Sequence, residues 1–315
     1  MKVVVTGAAG FIGSHVCQRL AAQGHEVIGL DAFDGYLYSA DVKRQNAMEL
    51  VGIQMVEGDI CDPNTVAAVL GSEVDVVCHL AALAGVRPSL AQPLRYLRTN
   101  IEGTGVIIER MRELGLKRLV FASSSSVYGA KPGTDVAAFR EDDPCLTPAS
   151  PYAATKRMNE LQLSAYRDLF GLGVFALRFF TVYGPRQRPD MAIAKFTKAI
   201  ANGEPITMFG DGSSRRDYTY IDDIVSGVVS AIERIAPAQY EIFNLGGTNT
   251  ISLADLVRTI ARVVGKTAEI VRQPDQPGDV PITYANIDRA RAALGYEPRV
   301  PVEIGIQRYW DYLQR

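Results

Sequence analysis

Val3-Val4-Val5-Thr6-Gly7-Ala8-Ala9-Gly10-Phe11-Ile12-Gly13 joins a β-branched run to three glycines and then to a helical pattern. Three valines in succession suit a strand buried on both faces. Gly7, Gly10 and Gly13 would let the chain turn sharply, let its backbone approach a pyrophosphate, and bring the next helix down onto the strand. That helix, opening at Phe11 and Ile12, aims its positive end at an anion. A bare turn is the competing reading. A strand before the glycines and a helix after them favour a dinucleotide-binding βα unit.

Outward from this stretch, short β-rich runs alternate with helical patterns. The runs are Val3 to Thr6, Glu26 to Asp31, Ile53 to Glu57, Val74 to His79, Arg118 to Ser123 and Gly173 to Arg178. Such alternation predicts parallel strands with helices on both faces. After Phe179 it decays into Tyr183-Gly184-Pro185-Arg186-Gln187-Arg188-Pro189-Asp190, then a helical Ala192 to Ala201 and the turn-rich Phe209-Gly210-Asp211-Gly212. The expected fold class is α/β: a doubly wound parallel Rossmann sheet over 1–178, with a smaller α/β substrate domain over 179–219 and 247–315. Residues 220–246 are expected to rejoin the first sheet, because Glu241 to Leu245 has a strand pattern. Pro93 to Leu114 and Tyr152 to Phe170 are the long helical patterns.

The chain of 315 residues is 47% hydrophobic, enough for a sizeable core, and 33 Lys and Arg nearly balance 35 Asp and Glu. That balance supplies no field for nucleic acid or an anionic membrane. Cys17, Cys61, Cys78 and Cys145 are scattered without a C-x-x-C pair, which argues for free thiols in a reducing compartment. His15, His25 and His79 fall on separate elements, so no metal site is expected. The first strand begins at Lys2 and no apolar run nears the ~20 residues of a membrane span, so the cytoplasm is the expected compartment.

Asp31 ends the second strand, where a carboxylate accepts hydrogen bonds from ribose hydroxyls and repels a 2′-phosphate, favouring NAD over NADP. A solvated strand-end aspartate is the plainer alternative. Asp59 and Ile60 end the third strand and would reach the adenine. Leu80-Ala81-Ala82 after the fourth is small enough for a cofactor to lie across, and Asn100 is a further candidate contact.

Ser150-Pro151-Tyr152-Ala153-Ala154-Thr155-Lys156 places a phenol and an amine four apart on a helix, where they share a face. Ser150 suits the N-cap and Pro151 the first helical position. A free phenol titrates near ~10, and a neighbouring ammonium together with a positive nicotinamide would lower it into use as a base. Ser124, ending the fifth strand, would bind the reacting hydroxyl and relay its proton to Tyr152.

These motifs resemble the extended short-chain dehydrogenase/reductases of the nucleotide-sugar epimerase group, across essentially the full chain. The resemblance is carried by Thr6-Gly7-x-x-Gly10-x-x-Gly13, His79-Leu80-Ala81-Ala82, Ser123 to Gly129, Tyr152-x-x-x-Lys156 and Arg178-Phe179-Phe180. Within the group, Arg178 to Met191 and Ala84-Gly85-Val86-Arg87 are most similar to UDP-glucuronate 4-epimerases. The resemblance implies Ser124, Tyr152 and Lys156 as the catalytic set and NAD as cofactor. It implies inversion of the sugar C4 through a transient 4-keto intermediate, without net redox, on a UDP-sugar, in a homodimer paired through the long helices.

The 4-keto form of a uronic acid is a β-keto acid, which loses carbon dioxide if its carboxylate aligns with the carbonyl. Ser125, Ser126 and Thr181 are the expected donors that hold that carboxylate still, although successive serines also suit a polar strand end. The resemblance also implies Arg216 on the diphosphate, Lys195 and Asp279 as further substrate contacts, and Arg188 closing over the pyranose beside Arg186. Phe209 either covers the uracil or packs in a core, and Arg87 either touches substrate or braces a loop. Gln276-Pro277-Gly278-Asp279 departs from the usual Arg-Pro-Gly-Asp, so Arg272 is a substitute phosphate contact. The rival readings are a neutral UDP-hexose or UDP-N-acetylhexosamine, decarboxylation of UDP-glucuronate, and a non-catalytic NAD sensor.

Overall fold

The computed structural model describes residues 1–129, 138–247, 249–274 and 282–315. The chain runs β1 (Lys2–Thr6), α1 (Phe11–Ala22), β2 (Glu26–Asp31), α2 (Ala40–Met48), β3 (Gln54–Glu57), α3 (Pro63–Val69), β4 (Val76–His79), α4 (Val86–Ala91), α5 (Pro93–Leu97), α6 (Gly103–Leu114) and β5 (Arg118–Ser124). It continues with α7 (Pro151–Phe170), β6 (Gly173–Phe179), β7 (Thr181–Tyr183), α8 (Ala192–Asn202), β8 (Ile206–Phe209), β9 (Arg215–Tyr220), α9 (Ile221–Arg234) and β10 (Tyr240–Leu245). Then come β11 (Thr250–Ser252), α10 (Leu253–Val264), β12 (Ile270–Gln273), β13 (Ile282–Thr283), α11 (Asp288–Leu294) and α12 (Val302–Leu313).

Seven strands form one parallel sheet in the order β10-β6-β5-β4-β1-β2-β3. β1 and β4 are buried on both faces, which is why their valines run without polar alternation. Strand order reverses between β1 and β4, so the crevice at their carboxyl ends is where an open α/β sheet takes a ligand. Thr6 and His79 stand opposite each other there. The His79 imidazole lies between Thr6 Oγ1 (2.7 Å) and Thr104 Oγ1 (3.0 Å), and burial, helped by the Lys156 charge, drives its pKa down to about 3. It is a neutral strut.

The helical pattern expected from Pro93 to Leu114 is helical throughout, with one widened turn inside it. α5 and α6 are joined by a π-turn at Arg98–Glu102. The widened turn carries Asn100, whose side chain accepts from Leu83 N–H (2.8 Å) and donates to Leu83 C=O (3.0 Å) and Thr155 Oγ1 (3.0 Å). Its carbonyl accepts from Asn159 and Thr104. Satisfying buried polar groups on three elements decides the local geometry, as is common for π-turns at working sites.

Beyond β6, β7 pairs with β9, which also pairs with β11 and β13, while β8 pairs with β12. One hydrophobic cluster runs from Val3, Val5 and Leu20 of the large sheet through α9 to Leu256, Ile260 and Ile306. The two halves of the chain therefore share a core, and the crevice between them is floored by packed side chains.

Candidate functional site

A cavity of about 610 Å³ lies along the carboxyl ends of β1, β2, β4, β5 and β6. At one end Gly7 has φ +72° and backs onto Ala81, whose backbone N would sit 2.8 Å from any Cβ placed there. A Cβ on Gly13 would lie 2.0 Å from the Gly7 carbonyl, so only glycine lets α1 settle onto the turn. Gly10 caps α1 without a side-chain acceptor, leaving first-turn N–H groups facing the cavity. Asp31, 7% exposed, accepts from Ala9 N–H (3.1 Å) and Phe33 N–H (2.8 Å), which fixes its carboxylate against the glycine turn. Burial raises its pKa, opposed by Lys43 and those two N–H groups. Gly10, Phe11, Ile12, Asp59, Ile60, Leu80, Ala81 and Ala82 line the same end. An uncapped helix start, a glycine cradle and a fixed carboxylate together fit a dinucleotide.

Opposite lies the proton-handling cluster. Ser150 Oγ accepts from Ala153 N–H (3.1 Å) and Pro151 opens α7, so Tyr152 and Lys156 sit in its rigid first turns. Ser124 ends β5 and caps the short turn that follows, accepting from Ser126 N–H (3.2 Å) and Ser126 Oγ (2.9 Å). With both acceptances filled by Ser126, Ser124 keeps its own proton free to donate. Enclosure raises the Tyr152 pKa, while a hydrogen bond to Ser124 and the charge of Arg188 pull it down. Lys156, 3% exposed, donates to the Ala122 carbonyl (2.7 Å) and lies over the Phe121 ring (4.9 Å). Burial lowers its pKa to about 7, with Glu160 opposing. The sequence suggested Lys156 as the cation beside the phenol. In the structure its amine donates to the strand backbone, and Arg188 is a second cation whose charge favours the Tyr152 phenolate.

Ser125, Ser126, Thr181, Arg188 and Arg87 line the sugar-side wall. Arg188 donates through Nη1 to Ala84 C=O (3.1 Å), and through Nε and Nη2 to both oxygens of Asp190 (2.9 and 2.6 Å). Arg186, grouped with it in the sequence reading, turns the other way. It holds φ +62°, uncommon for a residue with a Cβ, and donates to Gln18 Oε1 (2.6 Å) beside His15 on α1.

Several candidates stand outside the cavity. Asn100 is 1% exposed and committed to Leu83 and Thr155. Lys195 is exposed on α8. Phe209 ends β8 with the Arg87 guanidinium 5.6 Å from its ring centre. Arg216 on β9 donates to the Arg215 carbonyl (2.9 Å). Asp279, with Gln276, lies outside the described residues. Arg272 donates to Gly210 C=O at 3.3 Å. Among the described residues no cluster of His, Cys, Asp or Glu suits a metal, and no helix is long and apolar enough to cross a membrane. Lys43, Tyr38, Thr99 and Asp190 line the cavity and were not foreseen, because each reaches it through a loop or helix edge with no sequence period.

Residues 3–246 match the family model "NAD dependent epimerase/dehydratase family". Protein CapI of Staphylococcus aureus is 38% identical, with 99% of this chain and 98% of that protein aligned. UDP-glucuronate 4-epimerase of Thermodesulfobacterium geofontis is 40% identical over 97% of this chain and 94% of its own. The crystal structure of UDP-glucuronic acid 4-epimerase from Bacillus cereus, in complex with UDP-glucuronic acid and NAD, superposes with a TM-score of 0.91 at 38% identity, covering 100% and 99% of the two chains. With its glycine cradle and its tyrosine in one crevice, the chain belongs to the NAD dependent epimerase/dehydratase family.

Proposed function

We propose that this enzyme interconverts UDP-glucuronate and UDP-galacturonate by inverting C4 of the sugar. The observation that carries the reading is the sharing of one cavity by the Asp31 and glycine end, the Ser124–Tyr152 pair, and a wall of Ser125, Ser126, Thr181 and Arg188. Relatives named for this reaction, alike along the whole chain, support it.

Gly7, Gly10, Gly13, Asp31, Asp59, Ile60, Leu80, Ala81 and Ala82 would hold NAD, with Lys156, braced on the Ala122 carbonyl, in the same cavity. The chemistry the dinucleotide supplies when bound is reversible acceptance of a hydride from the sugar C4. Ser124 donates to the Tyr152 oxygen, which takes the C4 hydroxyl proton as the C4 hydride leaves and returns it to O4 when hydride comes back to the opposite face of C4. Arg188 adds the positive charge that favours the phenolate. Hydroxyl donors Ser125 and Thr181 restrain the carboxylate, joined by Ser126 once its hydroxyl turns from Ser124, so the 4-keto form is reduced before it loses carbon dioxide. Arg216, Lys195, Phe209 and Asp279 are assigned to the nucleotide end, and residues 179–219 and 247–315 to the part that grips it. Two copies pair along α5, α6 and α7, where Leu94, Leu97, Met158 and Leu161 are exposed. The four cysteines, all free thiols, support a reducing, cytoplasmic setting.

A second reading has one observation in its favour: Asp190 already neutralises Arg188, which suits a neutral UDP-hexose. NMR of purified protein with UDP-glucuronate and with UDP-glucose separates the two. UDP-galacturonate is the expected product. Turnover of the neutral sugar alone, or a pentose nucleotide alone, overturns the assignment.

A further inference from the structure

Arg188 is clamped on three sides. Asp190 receives two of its N–H groups and the Ala84 carbonyl a third, at 3.1 Å. The same Ala84 carbonyl accepts from Tyr96 OH (3.0 Å). Gly85, at φ +107°, leaves the remaining side open: a Cβ there would lie 3.3 Å from Arg188 Nη2. The Arg188 side chain is only 13% exposed, while that of Asp190 is 37% exposed. Exposed ion pairs contribute little as a rule, and a two-pronged Arg–carboxylate contact is the exception because it fixes direction as well as distance.

That fixed charge stands among phenols from three elements: Tyr38 in the loop after β2, Tyr96 on α5 and Tyr152 on α7. The Tyr96 ring meets that of Tyr152 edge to face, with centroids 6.2 Å apart. Tyr152 is otherwise faced by Ser124 from β5 and by Lys156 one turn along its own helix.

We propose that Asp190 is the positioning residue of Arg188: it fixes where the guanidinium stands over the sugar and how much of its charge is left to act on Tyr152. This rests on the reading of Tyr152 as the base. Asp190 acts through Arg188, which lines the cavity beside it. The pair is thus a preset gauge, aimed before substrate arrives.

A double-mutant cycle tests it. Wild type, Asp190→Ala, Arg188→Ala and the double variant are compared for kcat and KM on UDP-glucuronate. Asp190→Ala is expected to lower kcat about tenfold in the wild-type background and less than twofold once Arg188 is gone, the mark of one residue acting through another. Independent, additive losses overturn the proposal. A pH profile supplies a readout that a folding role would not move. Asp190→Asn keeps an acceptor for Nε and removes the opposing charge, so Arg188 favours the phenolate more strongly and the rising limb of kcat shifts to lower pH. An unmoved limb, or one displaced upward, also sinks it. If wild type acts only on UDP-glucose, the substrate reading fails, and the same cycle run on UDP-glucose still decides the role of Asp190.

Discussion

Glu160 accepts both the Nε and the Nη2 hydrogens of Arg178, at 2.8 and 2.9 Å, with both side chains sealed from solvent behind the catalytic strand. Ser123 Oγ adds a third bond at 2.7 Å, from the residue preceding Ser124. Removing Arg178 leaves the buried Glu160 with only the partly exposed Arg157, at 3.0 Å, as its cation, so Arg178→Ala should cost about 3 kcal/mol in urea denaturation. Burial alone would raise the Glu160 carboxyl, but Arg178 and Ser123 outweigh it and hold it below the usual value. Its contribution is therefore complete at neutral pH and lost as pH falls through that lowered value. Wild type should lose more stability than the variant below pH 5, and parallel acid titrations would count against the pairing.

Tyr152→Phe removes the phenol oxygen proposed as the proton acceptor and little else. It should lower kcat by about 10²–10⁴-fold. NAD affinity by calorimetry should stay within about threefold, since the glycine turn and Asp31 are untouched. Activity near that of wild type would end the catalytic assignment.

Lys156 has a folded pKa lowered to about 7 by burial, far below that of an unfolded lysine. Between these values the unfolded chain binds more protons than the folded one, so stability rises with pH from about 7 to 10 through this residue. Lys156→Met should flatten that rise, measured by denaturation at several pH values. An identical slope in both proteins would show that the amine is not desolvated.

Thr181→Ala should let the 4-keto form shed carbon dioxide, so that a pentose nucleotide appears beside the epimer in NMR time courses. The epimer as sole product would remove Thr181 from carboxylate restraint.

The fold was legible because each rule that built it is local. β-branched runs, glycine spacing and the Ser150-Pro151 start of α7 fall within one or two residues of their structural bounds. Glu26–Asp31 is a strand at the residues expected. Gly7, Gly13, Asp31, Ser124 and Tyr152 were readable because each ends a strand or opens a helix. The pairing of Arg188 with Asp190, the Asn100 bridge to Leu83 and the engagement of Lys156 with Ala122 were not. The last two depend on how distant elements meet, and the first on the path of one irregular loop, none of which a periodicity encodes. Asn100 shows the point: a polar residue beside a ligand crevice in sequence terms is, in space, a brace satisfying a neighbouring loop.

Asp31→Asn should weaken NAD about tenfold and narrow its advantage over NADP, because half the acceptor capacity and all of the repelling charge are lost. Binding of both dinucleotides by calorimetry decides it, and an unchanged ratio would make Asp31 a loop anchor only.

β10 pairs along β6 from Tyr240 to Leu245, long after the other six strands of its sheet have been specified. A ribosome making this protein releases β6 some sixty residues before its outer neighbour exists. For that interval the nascent sheet carries a raw edge open to mispairing. Excising residues 1–178 as a stand-alone nucleotide module would make that transient edge permanent, so a truncated version should precipitate where the full chain stays dispersed.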